Sequence, residues 1–174
     1  MNHLTIITRH FAKRPELYRA HIRSLAAQTC DDFHQIVLWD NVGRGIDAAQ
    51  MALRDVRVNG QWVWVLDDDD LAEPDAVETI VRHTQDGSDT VIFQFNHQGR
   101  TLPLDRNSIK EGHIGVSALV VSRLTWHQTK EHFGARYAGD FDWIQWVVNN
   151  YVTAFVPHVI GHISKQNMGK GDND

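Results

Sequence analysis

The stretch Trp62-Val63-Trp64-Val65-Leu66-Asp67-Asp68-Asp69-Asp70 sets an unbroken apolar run directly against four carboxylates. A run with no polar alternation reads as a parallel strand covered on both faces, and its abrupt polar end reads as the carboxyl edge of a sheet, where open α/β folds bind ligands. Upstream, Leu4-Thr5-Ile6-Ile7 predicts a strand followed by a polar turn. Pro15, after Arg14, suits the first turn of a helix with Leu17, Ile22, Leu25 and Ala26 on one face. Phe33 to Trp39 predicts a second strand ending at Asp40-Asn41. Gly43 and Gly45 mark a loop, and Ile46, Ala49 and Leu53 carry a short helix to about Arg54.

Downstream, Pro74 opens a helix with Val77, Ile80 and Val81 on one side, and Thr90 to Phe95 predicts a fourth strand. The alternation of strand and helix over roughly the first 95 residues predicts an α/β fold, a Rossmann-like, mainly parallel sheet flanked by helices. Beyond it, Gln98-Gly99-Arg100 predicts a turn toward Thr101-Leu102-Pro103-Leu104, residues 115–122 a strand, 123–132 and 141–149 helices, and 151–156 a strand. These form a small antiparallel C-terminal portion of the same domain. The glycine-rich polar tail, 169–174, is expected to be mobile.

At 174 residues the chain fits one domain, and its 42% hydrophobic and 22% charged composition is that of a globular protein. No segment approaches the ~20 consecutive apolar residues of a membrane span. The N-terminus enters a strand-like run without a basic region or cleavage site, so a cytoplasmic address is expected. Cys30, the single cysteine, excludes an internal disulfide and any multi-cysteine zinc site. A formal charge of −5 argues against coating nucleic acid by bulk charge.

Polar groups stand at three strand ends: Thr8-Arg9, Asp40, and Asp67 to Asp70. Adjacent carboxylates repel one another, and a divalent cation is the natural compensation. Oxygen ligands select a hard ion, Mg²⁺ or Mn²⁺, which would also hold a diphosphate. The competing reading is that one aspartate caps the helix after Pro74 and the others are solvated.

On these residues the chain resembles the family 2 type of inverting glycosyltransferase with the GT-A fold. The likeness runs from Ile6-Ile7-Thr8-Arg9 and Ser24-Leu25-Ala26-Ala27-Gln28-Thr29 through Ile36-Val37-Leu38-Trp39-Asp40 and the aspartate stretch with Pro74 to Gly139-Asp140-Phe141-Asp142-Trp143. It implies a domain over 1–168, with a nucleotide-binding half about 1–97 and an acceptor and catalytic half about 98–168. The resemblance also implies that Asp40 contacts the base, Asp67 the ribose and Asp69 the metal, with Asp68 at the nucleotide and Thr8 and Arg9 lining its pocket. His162 lies where relatives carry a histidine near the diphosphate or metal.

Inverting transfer needs a base for the acceptor hydroxyl. The resemblance lands that role on Asp140. Gly139 stands where relatives carry an acid, which leaves Asp142 a rival; both also suit a helix first turn. Lys165 and Lys170 could close over phosphate, and His113 and Trp126 could meet an acceptor. The implied partners are a nucleotide-sugar donor, UDP-linked by family frequency, and an acceptor that is a glycan, a lipid-linked sugar or a modified nucleic-acid base. Sugar, acceptor and oligomeric state are not encoded in any motif. Two other functions fit the same residues: a noncatalytic nucleotide-sugar-binding module and a metal-dependent nucleotidyl or phosphoryl transferase.

Overall fold

The computed structural model describes residues 2–40, 46–136 and 138–163, without the side chains of residues 40 and 46–48. Lys165, Lys170 and the 169–174 tail lie outside the described residues, as does the Asp40 carboxylate. One mixed sheet forms the centre, its strands in the order β2-β1-β3-β7-β5-β8-β4 with β6 paired to β5. The strands are β1 (Leu4–Phe11), β2 (Phe33–Asp40), β3 (Trp62–Val65), β4 (Asp70–Ala72), β5 (Thr90–His97), β6 (Arg100–Leu102), β7 (Leu119–Ser122) and β8 (Thr153–Ile163). The helices are α1 (Pro15–Ala26), α2 (Ile46–Leu53), α3 (Ala76–His83), α4 (Arg123–Thr129) and α5 (Gly139–Asn150). Strands β1, β2, β3, β5 and β8 share a direction, while β4, β6 and β7 run against them. The sheet is therefore mainly parallel, as its apolar strands predict.

Trp62, Val63, Trp64 and Val65 are all buried, as expected of a strand covered on both faces. Trp64 satisfies its one polar atom by donating Nε1–H to the Ser117 carbonyl at 2.7 Å. Between β3 and β5 the chain inserts β7, antiparallel to both, so the fourth predicted strand does not pair with the third. The 115–122 run is a strand only over its last part, because Val116–Ala118 forms a 3-10 turn that aims Ser117 at the aspartates. Apolar composition does not separate the two conformations.

The hairpin turn between β5 and β6 places Gln98 at φ 54° and Gly99 at φ 79°, the left-handed pair that matches strand twist. Strand β8 extends past the predicted 151–156 to Ile163. Its register against β5 shifts around Pro157, which has no N–H to give a ladder. That shift brings Gly161 and His162 beside β4, a short strand that sequence patterning missed because it begins inside the aspartate run.

Candidate active site

The four aspartates continue the strand alternation into the turn after β3. Asp68 and Asp70 are buried, and Asp67 and Asp69 are half-buried. Asp68 looks inward, with its Oδ2 2.8 Å from His10 Nδ1 and accepting the Phe11 N–H at 2.8 Å. Its carboxylate ties down the end of β1. Asp70 accepts a short hydrogen bond from the Ser117 hydroxyl. Asp67 takes a two-pronged contact from Arg9, Nε at 2.6 Å and Nη2 at 2.5 Å, while Asp69 pairs with Arg14 at 2.9 Å. Arg9 Nη1 is buried without a hydrogen-bond partner among the described residues.

Asp67, Asp69 and Asp70 each offer an oxygen within 4.8 Å of the others. Hard oxygen donors at that spacing fit a divalent cation. Their electrostatics agree: burial first, then repulsion from Asp67, pushes Asp69 up to about 6. Burial, with Asp69 and Asp67 adding to it, holds Asp70 well above the carboxylate range. Burial works against the Arg9 charge, but the charge and hydrogen bonds of Asp67 win and raise its pKa.

A carboxylate raised by folding lends stability below its unfolded pKa and loses it as pH rises through the folded value. A rise from 3.8 to about 6 corresponds to roughly 3 kcal/mol lost by neutral pH in a metal-free protein. In chelator at pH 7, Asp69→Asn is therefore expected to unfold at a higher temperature than the parent, on the order of 5 °C once the lost Arg14 pair is set against the gain. The gap should close toward pH 4, as read by thermal unfolding across pH; a gap independent of pH would contradict the assignment.

The turn is held from below by residues the sequence pattern did not single out. On α1 the buried stripe is Leu17, His21 and Leu25, not the expected Leu17, Ile22, Leu25 and Ala26. His21 takes the inner position because both ring nitrogens find partners: Nδ1 lies 2.9 Å from the Asp70 carbonyl, Nε2 2.9 Å from the Thr8 hydroxyl. Burial lowers its pKa, so the neutral ring bridges α1, β1 and β4. A histidine four residues from each of two stripe leucines was the available signal. The Ser24 to Thr29 motif has a structural task. Gln28 accepts the Val77 N–H at 2.9 Å and donates to the Glu73 carbonyl at 2.7 Å, and Ser24 accepts the Ala72 N–H at 3.1 Å. These bonds tie the end of α1 to the segment leaving the aspartates.

Asp140 and Asp142 start α5 but point to different surroundings. Asp140 is half-buried, and its pKa is raised by burial against the opposing charge of Arg9, with Asp67 also acting on it. Asp142 is held by Arg136, whose Nε donates at 2.8 Å, and this pair lowers its pKa. Arg136 also reaches Glu111 at 3.2 Å. Gly139 has no room for a side chain: a Cβ there would overlap the Gly134 carbonyl and the Gln50 amide. Gly134 N–H donates to the Gly139 carbonyl at 2.9 Å, closing the loop over the helix start. An acid at 139 is thus sterically excluded. Gly139→Ala is expected to cost roughly 1–3 kcal/mol by overpacking, read as a lower thermal midpoint; an unchanged midpoint would mean that the 134–139 loop yields.

Of the other sequence-predicted residues, Thr8 is fully buried and its hydroxyl is engaged by His21 and by Gln35 at 2.8 Å. His162 stands on β8 opposite Leu71, with Nδ1 3.0 Å from Glu73 Oε1, and is not among the three residues whose oxygens converge. Trp126 is fully buried, packed edge-on against Trp143, and His113 is half-buried in a surface turn. The strand end of Asp40 lies beside Phe11 of β1.

A family model described as Glycosyl transferase family 2 matches residues 19–137. No curated protein matches the chain. Among solved structures, TarS of S. aureus is 14% identical with a TM-score of 0.66 over 94% of this chain and 37% of that one. A TarS 1-349 structure in complex with UDP-GlcNAc is 13% identical with a TM-score of 0.67 over 95% of this chain and 59% of that one. A structure from STIV is 13% identical with a TM-score of 0.52 over 90% and 82%. The chain thus spans 37% and 59% of these TarS structures, less than two thirds of either, and the likeness establishes a shared fold.

Proposed function

Because the chain belongs to glycosyl transferase family 2, we propose that it moves a hexose or pentose from a nucleoside diphosphate sugar, first of all a UDP-sugar, to an acceptor hydroxyl with inversion at the anomeric carbon. The observation that carries this reading is that Asp67, Asp69 and Asp70 each bring an oxygen within 4.8 Å of the others just after β3; the charges of Arg9 and Asp67 also act on Asp140, from the second half of the chain. One half, about 1–97, then holds the donor and the other, about 98–168, supplies the base. The UDP-GlcNAc and UDP held by TarS structures support a uridine nucleotide. The cytoplasmic address belongs to the same reading.

In the proposed step Asp140 accepts the acceptor's hydroxyl proton as the oxygen attacks the anomeric carbon. The bond from that carbon to the diphosphate oxygen breaks, its electron pair leaving with the nucleoside diphosphate. Asp67, Asp69 and Asp70 are the residues that would hold Mn²⁺ or Mg²⁺, which when bound offsets charge on the departing diphosphate. Arg9 orients Asp67 through its two-pronged contact, and its Nη1, which has no hydrogen-bond partner among the described residues, is available to an anionic oxygen. Asp67 also reaches the ribose and Asp40 the base. Asp68 supports the nucleotide pocket through His10 and Phe11. His162, already oriented by Glu73, enters the metal or diphosphate surroundings only in the loaded protein; a carboxylate on the far ring nitrogen is a common partner of a ligating histidine.

A ligand that binds only the folded state raises its stability, by about 2.7 kcal/mol at a hundred times Kd. UDP with Mn²⁺ is therefore expected to raise the thermal midpoint by several degrees, and UDP in chelator by much less. A midpoint that neither UDP nor another nucleoside diphosphate moves in the presence of Mn²⁺ would sink the reading.

A further inference from the structure

A groove of about 300 Å³ lies between the outer face of α5 and the 3-10 turn Arg106–Ser108, at the lower end of small-molecule sites. Its floor is apolar and half-buried, made by Ile109, Phe141 and Val148. Its rim is formed by the carboxamides of Asn107, Gln145 and Asn149, with Arg106 as the single charge. Among the described residues none of these three carboxamides has a hydrogen-bond partner. Each offers two N–H donors and a carbonyl acceptor.

The wall opposite α5 is built to hold its shape. Asp105 accepts the N–H groups of Asn107 and Ser108 at 2.8 and 2.9 Å, and its own N–H donates to the Ser108 hydroxyl at 3.0 Å. Phe141, on the floor, follows Asp140 directly, and its N–H donates to Asp140 Oδ1 at 2.9 Å. The groove thus begins at the residue that follows the proposed base and runs along α5 through the 141, 145, 148 and 149 stripe.

We propose that this groove is the acceptor subsite and that it takes an uncharged sugar unit of a glycan, a reading that rests on the glycosyl transfer above. A sugar ring has an apolar C–H face, suited to Phe141 and the two aliphatic residues, and a ring of hydroxyls that both donate and accept, suited to free carboxamides. No acidic side chain lines the groove, so hydroxyls there meet no competing cation site. A nucleic-acid acceptor gains little from one arginine on a chain of formal charge −5.

The test is NMR of the labelled chain titrated with methyl glucoside, and separately with a short single-stranded DNA. Methyl glucoside is expected to shift the side-chain amide signals of Asn107, Gln145 and Asn149 at millimolar concentration. Gln145→Leu should weaken that response at least fivefold while keeping the parent's UDP affinity and thermal midpoint. Asn107→Ala, on the opposite wall, gives an independent second variant. Shifts confined to other surfaces, a response undiminished in both variants, or saturation by DNA in place of the glucoside would overturn the assignment. UDP binding with Mn²⁺ is read in the same samples. Its absence would overturn the glycosyl-transfer reading, whereas its presence without a groove response overturns only the acceptor subsite.

Discussion

Asp69→Asn is expected to bring the UDP affinity measured in Mn²⁺ down to the value measured in chelator. The substitution keeps the side chain's size and one oxygen but removes the charge that a hard cation requires. Asp67, Asp69 and Asp70 bring their oxygens within 4.8 Å of one another, and burial and mutual repulsion leave Asp69 and Asp70 reluctant to ionise without a cation. Losing one of three anionic ligands should weaken a Mn²⁺-dependent complex by at least tenfold, about 1.4 kcal/mol. The fold should survive, since Asp69 is half-buried and pairs with Arg14 of the loop before α1. Asp68→Asn makes the contrast. Its carboxylate secures His10 and the Phe11 N–H, so the expected loss is in thermal stability first. Calorimetric titration of UDP with and without Mn²⁺ checks both; equal UDP affinity in parent and Asp69→Asn under Mn²⁺ would remove Asp69 from the metal site.

The α/β character, the strand ends that carry the candidate site and the two carboxylates at the start of α5 were legible in the sequence because they rest on local pattern. Trp62 to Leu66 has no polar alternation, and strands of that kind end at ligand sites in open sheets. What stayed hidden depends on partners distant in the chain. Strand β4 begins at Asp70, a residue with poor strand propensity, and exists because β8 pairs with it through Gly161, His162 and Ile163. The inner role of Asp68 follows from alternation through the turn, which four identical residues cannot display. His21, which the apolar spacing of α1 leaves out, takes its inner place from the Asp70 carbonyl and the Thr8 hydroxyl against its ring. Gly139 was visible as a departure from the family's acid. Its reason, the Gly134 carbonyl packed against its Cα, lies in tertiary contact alone.

Asp140→Asn decides whether this chain is an enzyme or a binding module. Asparagine preserves the shape of the carboxylate and can still accept the Phe141 N–H, so the start of α5 should be kept. It cannot accept the acceptor's proton at neutral pH, and loss of a positioned general base costs typically 10²–10⁴ in rate. Turnover should fall by that amount while UDP affinity stays near that of the parent, the signature of a group that acts in the transition state and not in donor binding. Asp142→Asn should behave differently. Its carboxylate is engaged by Arg136 at the surface, and its pKa is lowered by that pair. Most of the turnover should remain, with a small change in thermal midpoint, because exposed ion pairs contribute little. The rates are best compared with a true acceptor, or by slow hydrolysis of the UDP-sugar by water before one is known. A parent-like rate in Asp140→Asn beside an inactive Asp142→Asn would move the base two residues along the helix. Full activity in both would leave the start of α5 without a proton acceptor, and the reaction as written would have no base.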